Sequence, residues 1–285
     1  MRFAYYPGCT ATSTSIEYDE SVRETSQYLG IELEEIPDWT CCGASSGHII
    51  NQELALALPS RNLALAERMS LDIVAPCPAC SLRHKAAEYE LKKDPALKTK
   101  IEADISMNLE LSQKSKHILE VLYKDVGIDA IKEKVQKSLK GLKIVTYYGC
   151  YLVRPPEITG FDDAENPTIM DEIMEALDAE VIDWSYKVDC CGGSLSIAAP
   201  EIVKKLSGKI VNAALEAGAD AIVTACGICQ LNLDMRQPKD SGYHPMPIFY
   251  FSELTALAFG SLNVKKWLAK HFVDPSDLLE RLKLL

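Results

Sequence analysis

Residues 72–80 read DIVAPCPAC and residues 220–229 read DAIVTACGIC. Each stretch is a short apolar run that ends at a Cys-x2-Cys pair, and such a run is typical of a buried strand. The two stretches agree in their aspartate, their apolar residues and their cysteine spacing. The chain therefore contains an internal repeat, which predicts a duplicated domain.

All ten cysteines belong to this repeat. In both halves an adjacent Cys-Cys pair followed by glycine lies 34 residues upstream of the Cys-x2-Cys pair. One more cysteine comes earlier, so the halves read C-x31-CC-x34-C-x2-C and C-x39-CC-x34-C-x2-C. The first cysteine set is Cys9, Cys41, Cys42, Cys77 and Cys80, and the second cysteine set is Cys150, Cys190, Cys191, Cys226 and Cys229.

Strands and helices alternate along both halves. The predicted strands are residues 2–6, 31–36, 72–75, 143–147, 180–184 and 221–224. The predicted helices of the first half are residues 15–29, residues 52–69 and a third that starts at 81. This alternation is typical of parallel, doubly wound sheets, so we expect an α/β fold with two Rossmann-like domains related by pseudo-twofold symmetry. Sites in such sheets lie beyond the carboxyl ends of the strands, where each cysteine group is predicted to fall.

The remaining segments contain no cysteine and have helical spacing. We expect residues 94–141 to form a helical connector and residues 237–285 a helical C-terminal tail. The cysteine-rich domains would then span residues 1–93 and 142–236.

Composition narrows the class of protein. The net charge of −11, with basic residues dispersed among 41 acidic ones, argues against a nucleic-acid partner, which requires a concentrated basic surface. The apolar runs are too short for direct membrane insertion. The first nine residues carry no pattern of a secretion signal, so the expected location is cytoplasmic, where thiols stay reduced.

Three chemical roles are open to the five thiols of one set: disulfides, a zinc site or an iron–sulfur cluster. Disulfides are disfavoured in a reducing compartment. A zinc site needs only four ligands, and an adjacent pair on extended backbone points to opposite sides, which suits two metal atoms better than one. An iron–sulfur cluster is therefore favoured, although the run of four close cysteines that holds an ordinary cubane is absent. Gly8 and Gly149 precede the first cysteine of each set and predict either a turn or a close approach of the backbone to a bound group.

The doubled Cys-x31–39-Cys-Cys-x34-Cys-x2-Cys pattern, with glycine after each paired cysteine, resembles the cysteine-rich CCG domain found in the B subunit of heterodisulfide reductase. The resemblance runs from Tyr5 to about Leu233. It implies two non-cubane [4Fe-4S] clusters, one held by the first cysteine set and one by the second. It also implies that the mixed disulfide of coenzyme M and coenzyme B is cleaved between the clusters, a reaction of methanogenesis, each sulfur being taken up by an iron.

The resemblance further implies a multisubunit complex. The expected partners are the ferredoxin-like and the flavin-containing subunits of the same complex, with a hydrogenase or formate dehydrogenase beyond them. The chain itself has no Gly-x-Gly-x-x-Gly flavin motif, so electrons must come from such a partner.

Local cations are needed to bind the acidic groups of that substrate. Three candidates lie near cysteines in the sequence: His48, Arg154 and Lys187. For each, a structural or solvated role is the stronger expectation.

Two further functions remain open at this point. The chain could be an electron-transfer subunit of an organic-acid dehydrogenase or a quinone-linked complex, or a scaffold stabilised by zinc. The presence of all ten cysteines favours the disulfide reductase, because a relay needs no second site that faces a substrate.

Overall fold

The first half of the chain forms a parallel sheet. In the computed structural model, which describes residues 1–44, 47–237 and 245–285, four strands take the order β2-β1-β3-β4. The pairing of Tyr5 with both Glu35 and Val74 fixes their register. The strands are β1 (Arg2–Tyr5), β2 (Glu32–Glu35), β3 (Ile73–Ala75) and β4 (Ser115–His117).

The second half repeats this topology. Its parallel sheet has the order β6-β5-β7-β8, with Tyr147 paired with Thr224. The two sheets confirm the predicted α/β class and its duplication. The strands are β5 (Lys143–Tyr147), β6 (Glu180–Val181), β7 (Ala221–Thr224) and β8 (Ile248–Tyr250).

Helices connect the strands on both sheets. Those of the first half and the connector are α1 (Gly8–Ala11), α2 (Ile16–Tyr28), α3 (Gly47–Ile50), α4 (Gln52–Met69), α5 (Pro78–Lys93), α6 (Pro95–Ile105), α7 (Ile118–Glu120), a π-helical turn (Val121–Val126) and α8 (Ile128–Glu133). Those that follow are α9 (Pro156–Thr159), α10 (Ile169–Glu175), a 3-10 turn (Gly193–Leu195), α11 (Pro200–Glu216), α12 (Gly227–Met235), α13 (Phe251–Ala258), α14 (Val264–Leu268) and α15 (Ser276–Arg281).

Local signals explain where the best-predicted helix begins and ends. The side chain of Asn51 accepts hydrogen bonds from the backbone N–H groups of Glu53 and Leu54, which caps the start of α4. Ser70 adopts a left-handed conformation at its end. These caps and the apolar periodicity place α4 where the sequence predicts it.

The connector and the tail both contain helices, and each also supplies the fourth strand of the neighbouring sheet. β4 lies in the connector and pairs with β3, and β8 lies in the tail and pairs with β7. The sequence pattern missed both because a strand of three residues is too short to display an alternation. Each sheet is therefore completed by a segment that the sequence pattern places outside its domain.

The two halves share one apolar core. The largest cluster of buried side chains joins Tyr18 and Val22 of the first half to Phe249 and Phe251 of the second. Smaller cores lie behind each sheet. Because α2 packs against α13 across the shared core, the halves form a single packed unit.

Within the described ranges, no helix combines the length and the apolar character that crossing a membrane requires.

Candidate functional site

The cysteines lie where the parallel strands end. Cys9 is in α1, directly after β1, while Cys77 and Cys226 occupy the N-cap positions of α5 and α12 after β3 and β7. The expectation that the strand ends gather the thiols is confirmed for these positions. The sheet topology therefore brings Cys9 and Cys77 to one edge of the first sheet and Cys226 to the corresponding edge of the second.

Each adjacent cysteine pair presents its two thiols to different surroundings. Cys41 and Cys190 are exposed, whereas Cys42 and Cys191 are buried. This is the arrangement predicted for neighbouring side chains on non-helical backbone. Two such thiols are suited to contact different atoms of a large bound group.

The sulfurs within each set approach one another closely. The Sγ atoms of Cys42 and Cys80 are 3.4 Å apart, and those of the corresponding Cys191 and Cys229 are 3.6 Å apart. In the second set the Sγ atom of Cys150 is also 3.9 Å from that of Cys190. The sulfurs remain unbonded, and all ten cysteines are free thiols.

A glycine before the first cysteine of each set leaves room at the sulfurs. A Cβ atom on Gly8 would lie 3.0 Å from the Sγ atom of Cys80, and one on Gly149 would lie 3.2 Å from that of Cys229. Both glycines have left-handed backbone angles, with φ of +74° and +67°. Both glycines therefore form a turn and lie close to a cysteine sulfur, and an approach of this backbone to a bound group stays a prediction.

Thiols and backbone amides shift the pKa values of the cysteines. The pKa of Cys42 is lowered to about 3 by hydrogen bonds from the thiols of Cys41 and Cys80, against the effect of burial. The pKa of Cys191 is lowered to about 7, mainly by the thiol of Cys229. The N–H group of Gly192 also donates to the Sγ atom of Cys190 at 3.3 Å. The same contacts raise the pKa values of the partner thiols Cys80 and Cys229 well above the ordinary value. Each set therefore pairs a thiol whose lowered pKa favours thiolate, the form that binds metals, with a thiol whose pKa is raised.

Two corresponding tyrosines hold the backbone ahead of the adjacent cysteine pairs. The hydroxyl of Tyr6 donates to the carbonyl of Thr40 at 2.8 Å, and that of Tyr147 donates to the carbonyl of Asp189 at 2.6 Å. Both rings are fully buried. Burial raises both phenol pKa values far above 10, so these hydroxyls remain donors.

A buried tyrosine of the first half contacts the backbone ahead of a cysteine in both sets. The hydroxyl of Tyr18 is 2.9 Å from the carbonyl oxygen of Pro76, which precedes Cys77, and 2.9 Å from that of Ala225, which precedes Cys226. One hydroxyl thus lies between the loops that carry Cys77 and Cys226. The two sets are adjacent across the boundary between the halves.

His117 supplies a second donor at the same place. Its Nδ1 atom accepts the backbone N–H of Leu119, so its Nε2 atom carries the hydrogen and donates to the carbonyl of Pro76 at 2.7 Å. Burial lowers the pKa of His117 to about 3, which keeps the ring neutral. Together, His117 and Tyr18 provide two donors for the two carbonyls.

Other polar side chains around the sulfurs were not predicted from the sequence. Asn62 accepts the backbone N–H of Thr40 ahead of Cys41 and lies 3.4 Å from the ring of His84. Asn232 donates to the Sγ atom of Cys191 at 3.6 Å. His84 and Asn232 follow the last cysteine of their sets by four and three residues on a helix, a spacing that could have revealed them.

The three predicted cations have different surroundings. Lys187 is buried, and its ammonium group is taken up by Asp171 at 2.7 Å, Asp183 at 3.4 Å and the carbonyl of Pro167. The ammonium group thus makes two hydrogen bonds and a second ion pair inside the protein, so its observed role is structural, and the candidate role of Lys187 in substrate binding is corrected accordingly. Its backbone carbonyl also accepts the N–H of Tyr148.

Arg154 is partly exposed and already paired. Its guanidinium donates to Glu165 at 2.7 Å and lies 3.5 Å from the carbonyl of Val188. His48 lies in α3, but its side chain is outside what the structure describes. The sequence-based candidates therefore include no cation with demonstrated free donors.

The residues fit a bound group that is larger than one ion. Each half offers buried and exposed thiols together with glycines that open space at the sulfurs. In the part of the chain that the structure describes, no three His, Cys, Asp or Glu side chains are grouped as the ligands of one metal ion.

The chain is similar to known proteins over most of its length. The family model described as "Cysteine-rich domain" matches residues 3–83 and 144–234, which coincide with the two repeats. The 8-methylmenaquinol:fumarate reductase membrane anchor subunit of Wolinella succinogenes is 32% identical over 97% of this chain and 98% of its own. The B subunit of the ferredoxin:CoB-CoM heterodisulfide reductase of Methanosarcina mazei is 32% identical over 91% of this chain and 89% of its own.

A solved structure supports the fold. The crystal structure of a hypothetical protein from Helicobacter pylori matches 95% of this chain with a TM-score of 0.73 at 11% identity, and this chain spans 51% of that one. The fold, the doubled cysteine-rich domain and these relatives lead to one conclusion: the chain belongs to the CCG cysteine-rich domain family that includes the B subunit of heterodisulfide reductase.

Proposed function

We propose that this chain is the disulfide-reducing subunit of a multisubunit iron–sulfur oxidoreductase. Its substrate is the coenzyme M–coenzyme B mixed disulfide or a related disulfide. The observation that carries the proposal is the shared Tyr18 hydroxyl, which lies between the loops of Cys77 and Cys226 and makes the two cysteine sets neighbours. Neighbouring sets suit a reaction in which two electrons enter one S–S bond.

The proposed cofactors are two non-cubane [4Fe-4S] clusters. The first cysteine set would hold one and the second cysteine set the other. When bound, such clusters supply one-electron transfer and iron with an affinity for sulfur. The overall reaction consumes the disulfide, two electrons and two protons and yields two thiols.

The protein's own contribution is position and exclusion of water. Tyr6 and Tyr147 hold the backbone ahead of the adjacent cysteine pairs, and Tyr18 with His117 holds the two loops to each other. The buried thiols of each set would hold the bound group away from solvent. Electrons come from partner subunits, for which we propose the ferredoxin-like and flavin-containing subunits of heterodisulfide reductases.

One comparison favours a second candidate function. The relative from Wolinella succinogenes is named as a subunit of a menaquinol:fumarate reductase and is as similar in sequence as the heterodisulfide reductase subunit. This chain could therefore relay electrons in a quinone-linked or organic-acid-oxidising complex.

Metal analysis comes first. The full chain, purified without oxygen, is expected to contain about eight iron atoms if both sets hold a four-iron cluster. Stoichiometric zinc with little iron would reject both redox functions and favour the zinc-stabilised scaffold.

Disulfide titration then separates the two redox functions. The dithionite-reduced protein, freed of excess reductant, should be reoxidised by the heterodisulfide with a change in its cluster spectra. Oxidation by a quinone analogue, with no response to any disulfide, would support the relay instead. The matched variants Cys42→Ser and Cys191→Ser, at corresponding positions of the two sets, should each abolish the response to disulfide.

A further inference from the structure

Arg83 is a cation beside the cysteines whose guanidinium is not used by the protein. It lies on α5, three residues after Cys80, and is half-buried. Among the described residues, no carboxylate or carbonyl accepts a hydrogen bond from it. Arg154 and Lys187, in contrast, are ion-paired. An arginine carries five N–H donors, so Arg83 has a full set to offer to a ligand.

A cavity of about 390 Å³ opens beside this guanidinium. Arg83, Gln52 and Glu90 form its polar lining, and alanine and leucine side chains of α4, α5 and α6 form the rest. Its volume is within the range of small-molecule sites. Glu90, seven residues further along the same helix, also lines the cavity but forms no ion pair with Arg83 among the described residues.

The position of Arg83 also connects it to the second half. It interacts electrostatically with Tyr151, the residue after Cys150. Tyr151 itself packs against the core of the first half. The guanidinium is therefore near the boundary along which the two cysteine sets adjoin.

The corresponding residue of the second half is not open to a ligand. Asn232 follows Cys229 by three residues, as Arg83 follows Cys80. Its side chain is buried, donates to the Sγ atom of Cys191 and accepts hydrogen bonds from Ser196 and Arg236. The duplicated site is thus asymmetric, with a free cation in the first half and a closed polar network in the second.

We propose that Arg83 and its cavity bind the acidic group of one half of the disulfide substrate. The ligand class is a sulfonate, carboxylate or phosphate on a short aliphatic chain, because the guanidinium matches the anion and the alanine and leucine side chains match the chain. This inference rests on the proposed function, and it gives an unsymmetrical disulfide one preferred direction of binding.

The test compares two small symmetrical disulfides with the iron-loaded full chain. One carries sulfonates, bis(2-sulfonatoethyl) disulfide, and the other is its neutral counterpart, bis(2-hydroxyethyl) disulfide. Arg83→Gln should raise the half-saturating concentration of the sulfonate probe about tenfold or more, because a charge-assisted hydrogen bond is lost. The neutral probe should be unaffected, and Arg83→Lys should retain part of the difference.

Arg68→Gln is the matched control. Arg68 is an exposed arginine in the last turn of α4, outside the cavity lining, so its substitution makes the same change in net charge. It should alter neither half-saturating concentration. Equal responses of Arg83→Gln and the unmodified chain to both probes, with iron content unchanged, overturn the role of Arg83 while leaving the disulfide reductase intact.

Chemical modification tests the cavity without any turnover. Phenylglyoxal reacts with accessible arginines, and mass spectrometry of peptides measures the rate at each position. Millimolar ethanesulfonate should slow the reaction at Arg83 and leave Arg68 unchanged. If neither disulfide oxidises the reduced protein, the proposed function fails, yet protection at Arg83 still supports an anion site. Absence of protection overturns that site.

Discussion

The two halves of the molecule agree where they hold the cysteine loops and differ in the charged groups around them. Tyr6 and Tyr147 make the same hydrogen bond ahead of the adjacent cysteines, and Gly8 and Gly149 make the same close approach to a sulfur. Duplication has thus produced two equivalent backbone frames around the cysteine thiols.

The charged positions do not follow the duplication. Three residues before the adjacent cysteines stands the exposed Asp38 in one half and the buried Lys187 in the other. Arg83 has a free guanidinium where Asn232 is saturated. The two sites can therefore hold similar groups and yet treat the two ends of a ligand differently.

Lys187 should show the largest difference between the halves. Lys187→Met leaves the buried carboxylate of Asp171 without its cation, and we expect a loss of about 3–5 kcal/mol in the free energy of unfolding. Asp38→Asn, at the corresponding position, removes only a surface pair with Arg61 and should cost below about 1 kcal/mol. Urea unfolding without oxygen measures both. Similar losses for the two variants would contradict the structural role of Lys187.

The halves also differ in the partner of a helix-capping glutamate. Glu120 and Glu253 both cap the helix after the fourth strand of their sheet. Glu120 is paired with Lys85 at 2.7 Å, whereas Glu253 is paired with His271 at 2.9 Å. Because histidine loses its charge near neutral pH, only the second pair should respond to moderately alkaline conditions.

The stability of the second half should therefore fall as pH rises. Burial lowers the pKa of His271, but Glu253, then Asp234 and Glu17, raise it more, to about 9 from an ordinary 6.5. The pair of His271 and Glu253 contributes fully to the free energy of unfolding below pH 6.5, where the histidine of the unfolded chain is also protonated. This contribution is lost as pH rises through 9. We expect a loss of about 3 kcal/mol over this window.

Unfolding free energies at a series of pH values between about 6 and 10 test this dependence. His271→Gln should remove most of the alkaline loss, whereas Lys85→Gln should leave it in place. An unchanged profile in His271→Gln would show that other groups cause the loss.

The variant Tyr18→Phe tests whether the backbone frames of the two cysteine sets depend on each other. Tyr18→Phe leaves the buried carbonyl of Ala225 without the tyrosine donor, since His117 still donates to that of Pro76, and should cost about 1–3 kcal/mol of stability. It should also change the magnetic interaction between the two metal groups in electron paramagnetic resonance spectra. Thr25→Val removes another hydrogen bond across the same interface, to Ser252, and is the control. It should lower stability without changing that interaction.

The smallest expected effects concern Asn232 and Arg83. Asn232→Ala removes hydrogen bonds to Cys191, Ser196 and Arg236 and should cost about 1 kcal/mol. Arg83→Ala removes no hydrogen bond among the described residues and should change stability by less than about 0.5 kcal/mol. A larger loss in Arg83→Ala would mean that the guanidinium has a structural partner.

Local sequence patterns were sufficient to predict the α/β class, its duplication and most of the strands, and they grouped the cysteines into two sets of equal spacing. The 18 residues of helical periodicity with an Asn51 cap define α4, and an apolar run before a cysteine pair defines β3 and β7. The likeness of the two sets also follows from local patterns, because each set repeats the same spacings.

The way in which the halves meet depends on tertiary contacts that no local pattern records. Tyr18 stands in an ordinary amphipathic helix, and nothing in its neighbours signals the carbonyl of Ala225, 207 residues away. Strands β4 and β8 exist because a sheet edge was available to pair with them. Proximity to a cysteine in the sequence also misled the choice of cations. Whether a positive charge is free or neutralised depends on which acidic side chains the fold brings beside it. Asp171 lies beside Lys187, whereas no acidic side chain among the described residues forms an ion pair with Arg83.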